Sequence, residues 1–473
     1  MSLSGELKKI FDKKYWERQA ILNLKPTKVR IEATNKCNLN CVSCYMRADK
    51  TGEVKYGYLK AEDFKNFLRK NKYIKEVELS DNGEIFLNPE LVEIMKIAYE
   101  NKVRLTAENG VNFNKVDDET LDALAKYKFK KIMIAIDGAS QDSYVKYRRN
   151  GNFDKVIENI RKLNEYKKKY NSQYPELEWA YIVMSYNENE IPLAKKLANE
   201  LGMRIYFKLN WDKSFYPIVN KEFVKQETGL EETSLDEVAE HSKILYKEMC
   251  YQMWHSPQID WDGSFNGCCA VYKSNLGVNA FKSNLLKCIK SKNVKYAKNM
   301  LLGRVKAKPD ITCTYCDIYK QMIKHNNFVK TSELIESIKK VYELTPEAHF
   351  LKVNKFEKTL KTLKKKLKNK RVVIHGANSL FDAVLDIDDL RELNIIGISD
   401  FSFDNLAVEK YKGFTAILPS EIKQLSPDYL LICAKDSLEL IEYFRYNLLS
   451  DTNIKVLPFV KRSFISTLKE IWR

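Results

Sequence analysis

The hydrophobic and polar positions of this chain alternate between two periods from residue 28 onward. Short β-type runs predict strands at Lys28–Ala33, Glu76–Ser80, Arg104–Ala107, Lys130–Ile136, Glu178–Met184 and Arg204–Lys208. Between them, helical periodicity predicts helices at Ala61–Lys70, Pro89–Glu100, Asp117–Tyr127, Asp154–Tyr170 and Ile191–Leu201. Repeated β-α units predict an α/β fold with a parallel sheet and right-handed crossovers. Sites in such folds lie at the C-terminal ends of the strands, where the informative residues of this chain fall. Residues 1–25 read as a short amphipathic helical arm and 26–240 as the α/β domain. The character changes over 241–330, which hold six of the ten cysteines. Residues 331–370 read as a helical linker, ending in a basic run, Thr359–Arg371, expected as an exposed connecting helix. A second α/β pattern occupies 371–473.

Composition narrows the class. A chain of 473 residues suggests two to four domains, and 44% hydrophobic content can fill real cores. Ten cysteines are too few for a disulfide scaffold at this length. The first residues have no apolar signal-peptide core, and no apolar run reaches the length of a membrane span. These features point to a reducing cytoplasm, where closely spaced cysteines mean metal or catalysis. The net charge of +17 admits a polyanionic partner such as RNA. The charge pattern favours solvated helix faces instead, since Lys195 and Lys196 lie between Glu190 and Glu200, and Glu165 precedes Lys167. Nucleic acid is therefore not the expected partner. An anionic small substrate would suit a basic cleft.

The strongest chemical signal is Cys37, Cys41 and Cys44, spaced C-x3-C-x2-C. An iron–sulfur cube takes four ligands, so three thiolates leave one iron open for a small molecule. Zinc sites also use short cysteine spacings but close with a fourth Cys or His. No His occurs in the first two hundred residues, so zinc would need a remote Cys. The motif resembles that of the radical S-adenosylmethionine (SAM) superfamily.

The resemblance extends along the first α/β pattern, where six units fit that family's partial (β/α)6 TIM barrel. Ser80-Asp-Asn82-Gly83-Glu84 is similar to the family's "GE" motif, with Ile85 where a Pro is usual. It implies that Asn82, Gly83 and Glu84 receive SAM's amino group, a carboxylate meeting an ammonium. Thr106-Ala-Glu108-Asn109-Gly110 resembles a segment near the SAM ribose and implicates Asn109. The stretch Ile134–Asp154 resembles a segment of members that carry an auxiliary-cluster domain. It implies that Asp137 and Arg148 fix SAM's carboxylate or an anionic substrate, Arg148 serving catalysis with the three cysteines; a structural ion pair between the two is the alternative. Ser185 and Asn187, after the fifth strand, are expected near the ribose or carboxylate. Position 43, often aromatic in the family, is Ser here, so Tyr45 is expected near adenine.

Cys250, Cys268, Cys269, Cys288, Cys313 and Cys316 form the second group. Asp262-Gly263 between alternating runs is a hairpin signal. The region resembles a SPASM/twitch domain in its shorter, single-cluster form, a small α+β module. The resemblance implies ligands Cys250, Cys268, Cys313 and Cys316, with Cys269 as an alternative to Cys268 and Cys288 as a bystander. A four-thiolate zinc site is the competing reading. Cys433 reads as an inert buried strand thiol. In the C-terminal region Arg371–Ser379 and Ile395–Asp400 outline a Rossmann-like α/β half. Only Gly376 of the dinucleotide fingerprint survives, which argues against NAD.

Taken together, these features lead to the expectation of a radical SAM enzyme with two [4Fe–4S] clusters and SAM. It would act on a sugar, nucleotide sugar or cyclitol by oxidation, epimerisation or deamination, with a flavodoxin- or ferredoxin-type reductant and no membrane. A peptide maturase is the runner-up. From another class, a zinc-stapled RNA-binding protein would predict zinc and steep salt dependence.

Overall fold

The structure, a computed structural model, describes residues 24–44, 55–242, 244–270, 276–342, 346–388, 390–405 and 409–461. The expected arm 1–25 lies almost wholly outside these residues, and Tyr45 lies outside them. The chain divides into two compact units, Met1–Ile338 and Lys339–Arg473. The cysteine-bearing stretch 241–330, expected as a separate domain, lies within the first.

In the first unit six β-α repeats build one sheet: β1 (Lys28–Ile31), α1 (Ala61–Lys70), β2 (Glu76–Glu78), α2 (Leu91–Glu100), β3 (Arg104–Val111), α3 (Asp118–Lys126), β4 (Lys131–Ala135), α4 (Gln141–Tyr147), α5 (Phe153–Lys169), β5 (Glu176–Val183), α6 (Ile191–Glu200) and β6 (Arg204–Leu209). A short β7 (Gln258–Ile259) adds beside β1, giving the order β6-β5-β4-β3-β2-β1-β7. Every pair is parallel, so all strand C-termini meet at one edge.

The two faces of this sheet differ. Val29, Ile31, Val77, Ile132, Ile134, Trp179 and Tyr181 alternate along the strands and are fully buried, the apolar side that helices cover. Helix α1 lays Ala61, Phe64, Phe67 and Leu68 on one stripe for that purpose. The intervening strand positions carry charge: Lys28, Arg30 and Glu32; Glu76 and Glu78; Lys131; Glu178; Arg204 and Lys208. These charges pair. Lys28 meets Glu76 at 2.9 Å, Lys131 meets Glu178 at 2.9 Å and Arg204 meets Glu178 at 2.7 Å.

Glu76 is the hub. Burial alone would raise its pKa, but Lys28, Lys130 and Arg104 together hold it down from 4.5 to about 2. A carboxylate depressed in the folded state stabilises fully above its unfolded pKa and loses that contribution as pH falls through the folded one. Stability should therefore drop by on the order of 3 kcal/mol between about pH 5 and pH 2 through this group. Urea unfolding against pH is expected to lose this part of its slope in Glu76→Gln; an unchanged slope would refute the assignment.

In the second unit β8 (Arg371–His375), β9 (Asn394–Ser399), β10 (Lys410–Tyr411), β11 (Phe414–Ile417), β12 (Tyr429–Ile432) and β13 (Lys455–Pro458) form a mixed sheet ordered β10-β11-β9-β8-β12-β13. Only β10 and β11 pair antiparallel. The strand order of the parallel part reverses between β8 and β12, the place where open α/β sheets bind ligands. Here Asn378 fills that place: its Nδ2 donates to the Cys433 carbonyl at 2.9 Å and its Oδ1 caps the next helix at Leu380 N. Asp400 is likewise occupied, accepting from Ala377 N at 2.7 Å.

The expected connecting helix is part of this unit. Leu360 and Leu367 sit in its core, and Lys364 is buried against Asp388 at 2.7 Å. The basic run hid an amphipathic helix whose lysine stems cover the core edge. Cys433 is buried in the same core, as expected.

Candidate active site

The loop after β1 carries Cys37, Cys41 and Cys44. Cys41 is buried, Cys44 half-buried and Cys37 exposed. Cys37 lies within electrostatic reach of Glu84, Cys41 and Cys44. Two side chains from elsewhere in the unit reach the sulfurs, Arg148 at the end of α4 and Asn112 just after β3. Arg148 Nη1 donates to Cys41 Sγ at 3.6 Å, and Asn112 Nδ2 to Cys37 Sγ at 3.7 Å.

The loop after β2 locks onto the cysteine loop from below. A Cβ on Gly83 would strike the backbone carbonyls of Thr34 and Lys36. Glu84 N donates to the Lys36 carbonyl at 2.8 Å. The Glu84 carboxylate is buried and accepts from Asn112 N at 2.5 Å and Phe86 N at 3.4 Å. Burial pushes its pKa up to about 7, although these two N–H groups pull the other way. Asn82 Nδ2 donates to Glu32 Oε1 at 2.8 Å.

After β4, Asp137 is fully buried. Its Oδ2 accepts from Arg148 Nε at 2.6 Å and its Oδ1 from Ile182 N at 2.8 Å. The Asp137–Arg148 ion pair thus exists and reaches a cysteine as well. After β5, Ser185 is half-buried, with its N–H on the Tyr216 carbonyl at 3.1 Å. The Asn187 side chain is committed to backbone: Oδ1 accepts from Met184 N at 2.7 Å, and Nδ2 donates to the Asp137 and Ile182 carbonyls. These bonds shape the loop after β5.

Asn109 also departs from expectation. Residues 108–110 continue β3 through a register shift, and Asn109 Nδ2 points to the Asp81 carbonyl at 3.3 Å. Asn112, two residues beyond Gly110, is the side chain that meets the cysteine loop. The Asn-Gly pair reads as a turn in sequence, which hid the longer strand and with it Asn112.

The setting fits an iron–sulfur group with a polar co-ligand. Two N–H donors address thiol sulfurs, as thiolates of a cluster require. Beside them Cys41, Tyr147 and Met184 form an apolar cluster with Tyr186 packed against it. The Tyr186 hydroxyl is buried with no hydrogen-bond partner. An orphan hydroxyl at this edge matches a site shaped for a polar molecule. Among the described residues, no three His, Cys, Asp or Glu side chains close around a single ion. A cube differs from a single ion in spreading its ligands over several irons.

The second cysteine group also gathers. Burial raises the Cys250 thiol's pKa well above its ordinary value, helped by the neighbouring Cys268, Cys316 and Cys313 thiols. Burial raises Cys313 to about 12, with Cys316 beside it. Cys269 turns elsewhere: burial raises it, while Arg30 lowers it and Asp81 raises it, so it faces the charged side of the sheet. Cys288 is buried in the short helix Leu285–Ile289 and joins neither group. The expected Asp262-Gly263 turn forms, with antiparallel bridges Ile259 to Phe265 and Ser264 to Asn279.

The charged face also carries three carboxylates with raised pKa values, Glu32 buried and Asp81 and Asp260 half-buried. Burial, then Asp81 and Asp260, raise Glu32 to about 8. Burial raises Asp81 to about 6 against the pull of Arg30, and Asp260 to about 7 against that of Asn266. Glu32 continues the period-two charge of Lys28 and Arg30, but alternation alone cannot say which side becomes interior.

Among known proteins, residues 31–190 match the family described as the Radical SAM superfamily. An uncharacterised protein of Methanocaldococcus jannaschii is 26% identical over 170 residues, 36% of this chain and 52% of that one. A probable GTP 3′,8-cyclase of the same organism is 23% identical over 179 residues, 37% of this chain and 55% of that one. The chain spans about half the length of these curated relatives. In structure it is similar to SuiB of Streptococcus suis bound to S-adenosylmethionine, with TM-score 0.45 and 14% identity over 66% of this chain and 78% of that one.

Proposed function

We propose, from the match of residues 31–190 to the Radical SAM superfamily, that this chain is an enzyme that cleaves SAM reductively and abstracts hydrogen from a small polar molecule. The proposed substrate is a sugar, nucleotide sugar or cyclitol, and the outcome oxidation, epimerisation or deamination. The observation that carries the reading is the convergence of Cys37, Cys41, Cys44, Glu84, Asp137 and Arg148 at the C-terminal edge of one parallel sheet.

A [4Fe–4S] cluster with SAM at its open iron supplies the radical chemistry when bound. The chain's own residues hold the thiolates and orient the ligand. Cys37, Cys41 and Cys44 are the proposed cluster ligands. Arg148, fixed by Asp137, presents an N–H to Cys41 and balances negative charge there. Glu84 is placed to receive an ammonium, and an adjacent cation would keep its carboxylate ionised. The apolar cluster of Tyr147 and Met184, with Tyr186 packed against it, keeps water from this part of the edge.

Cys250, Cys268, Cys313 and Cys316 are the proposed ligands of a second cluster, which would exchange electrons with the substrate or relay them. Cys268 is preferred over Cys269 in that set because Cys269 lies within electrostatic reach of Arg30 and Asp81. The polar face with Glu32, Asp81 and Asp260 supports a hydroxyl- or amine-bearing substrate over an apolar one. The proposed setting is a reducing cytoplasm, with a flavodoxin- or ferredoxin-type reductant. Among the described residues no helix is long and apolar enough to cross a membrane.

The test is anaerobic reconstitution with iron and sulfide, then SAM and dithionite. Release of 5′-deoxyadenosine is expected from the wild type and none from a Cys37/Cys41/Cys44→Ala variant. Iron-loaded wild type that leaves SAM intact would overturn the reading.

A further inference from the structure

The cations named on the charged face of the first sheet pair with carboxylates, with one exception. Lys28 meets Glu76, Arg30 meets Asp81, Lys131 and Arg204 meet Glu178, and Arg148 meets Asp137. Among the described residues, Lys208 has no carboxylate within ion-pair distance. Its ammonium donates to the Met133 thioether at 3.3 Å and stands 5.6 Å from the Tyr206 ring centroid, both weak partners for a charge. The residue is half-buried near the C-terminal end of β6.

Its place is informative. Lys208 lies in register with Ile182 of β5. Ile182 donates its N–H to Asp137 and packs its side chain against Cys41, Tyr147 and Met184. Lys208 therefore flanks the same edge as the cysteine loop and Arg148. Burial lowers its pKa and the Asp137 charge only partly compensates. A desolvated ammonium without a counter-charge is costly unless another molecule brings one.

We propose that Lys208 is the anion-binding residue of the charged face, taking a carboxylate or phosphate group of a molecule bound beside Arg148. This rests on the reading of the C-terminal edge as the active site. Two molecules could bring that group: the substrate, which would then be an acid or a phosphorylated compound such as a nucleotide sugar, and SAM, through its own carboxylate. Lysine suits either as a point charge.

The test is a lysine-labelling footprint on the full-length protein. Acetylation of Lys208 is quantified by peptide mass spectrometry, with exposed Lys168 and Lys320 as internal references. Inorganic phosphate is the first probe, alone and with saturating SAM. Lys208 labelling is expected to fall roughly tenfold as a bound anion approaches ten times its dissociation constant, with the references unchanged. Protection by phosphate that persists with SAM present assigns the group to the substrate. Protection by SAM but not by 5′-methylthioadenosine, with nothing added by phosphate, assigns it to the SAM carboxylate. Labelling that follows the references under phosphate and SAM alike overturns the proposal. The footprint needs no SAM cleavage, so its failure is separate from failure of the enzymatic reading.

Discussion

Replacing Arg148 by Met is expected to lower the free energy of unfolding by about 3–5 kcal/mol, the cost of leaving a buried carboxylate without its cation. Asp137 is fully buried and the Arg148 side chain only 17% exposed, so solvent screens the pair little. The change also removes the Nη1 contact to Cys41. Urea unfolding measures the first effect. Adding Asp137→Asn removes the stranded charge and should restore much of the stability, since the amide oxygen can still accept from Ile182 N. Release of 5′-deoxyadenosine separates the roles. If the pair were only structural, the stable double variant would cleave SAM normally. With the role proposed here, the double variant stays impaired. A single variant as stable as the wild type would contradict the buried-pair argument itself.

Gly83→Ala is expected to damage the site through backbone collision. The new Cβ would lie 2.6 Å from the Lys36 carbonyl oxygen and closer still to that of Thr34. Neither atom is a flexible side-chain end, so the cysteine loop or the Glu84 loop must move. Overpacking of this kind costs about 1–3 kcal/mol. The move also strains the Glu84 N–H bond to Lys36, which joins the two loops. SAM affinity, measured by calorimetry on the reconstituted protein, should weaken by about tenfold for each 1.4 kcal/mol lost from binding. Gly202→Ala is the control. It has positive φ but open space around it, so it should cost stability with no loss of SAM affinity. Equal SAM affinity in Gly83→Ala and wild type would remove the argument for loop-to-loop contact.

Much of the fold is legible in the strands and helices because their periods are strong. The helix Ala61–Lys70 is found at its expected bounds, and all six strands begin within two residues of expectation. The shortfalls have physical causes. Helix α4 is only seven residues, held by the Ser140 and Ser143 capping box, too short to show a period. Strand β3 runs past Ala107 because tertiary pairing overrides the Asn-Gly turn signal. The helix Phe356–Lys366 looks solvated because its lysines outnumber the few apolar residues that anchor it.

The site is legible wherever spacing carries the chemistry, as with Cys37, Cys41 and Cys44. It is not legible where side chains meet across strands. Asn112 meets Cys37 from 75 positions away, and Lys208 is distinguished only by its missing carboxylate. The same limit leaves Cys268 and Cys269 equal in sequence, until folding turns one toward Cys250, Cys313 and Cys316 and the other toward Arg30.

Iron and acid-labile sulfide per chain, after anaerobic reconstitution, bear directly on the two-cluster enzyme. The wild type is expected to hold about eight irons and the Cys37/Cys41/Cys44→Ala variant about four, at four irons per cube. Cys268→Ser should also lose close to half the iron, and Cys269→Ser should keep it. A wild type that stops near four irons, with zinc or nothing on the later cysteines, would contradict the second cluster and the redox role that goes with it.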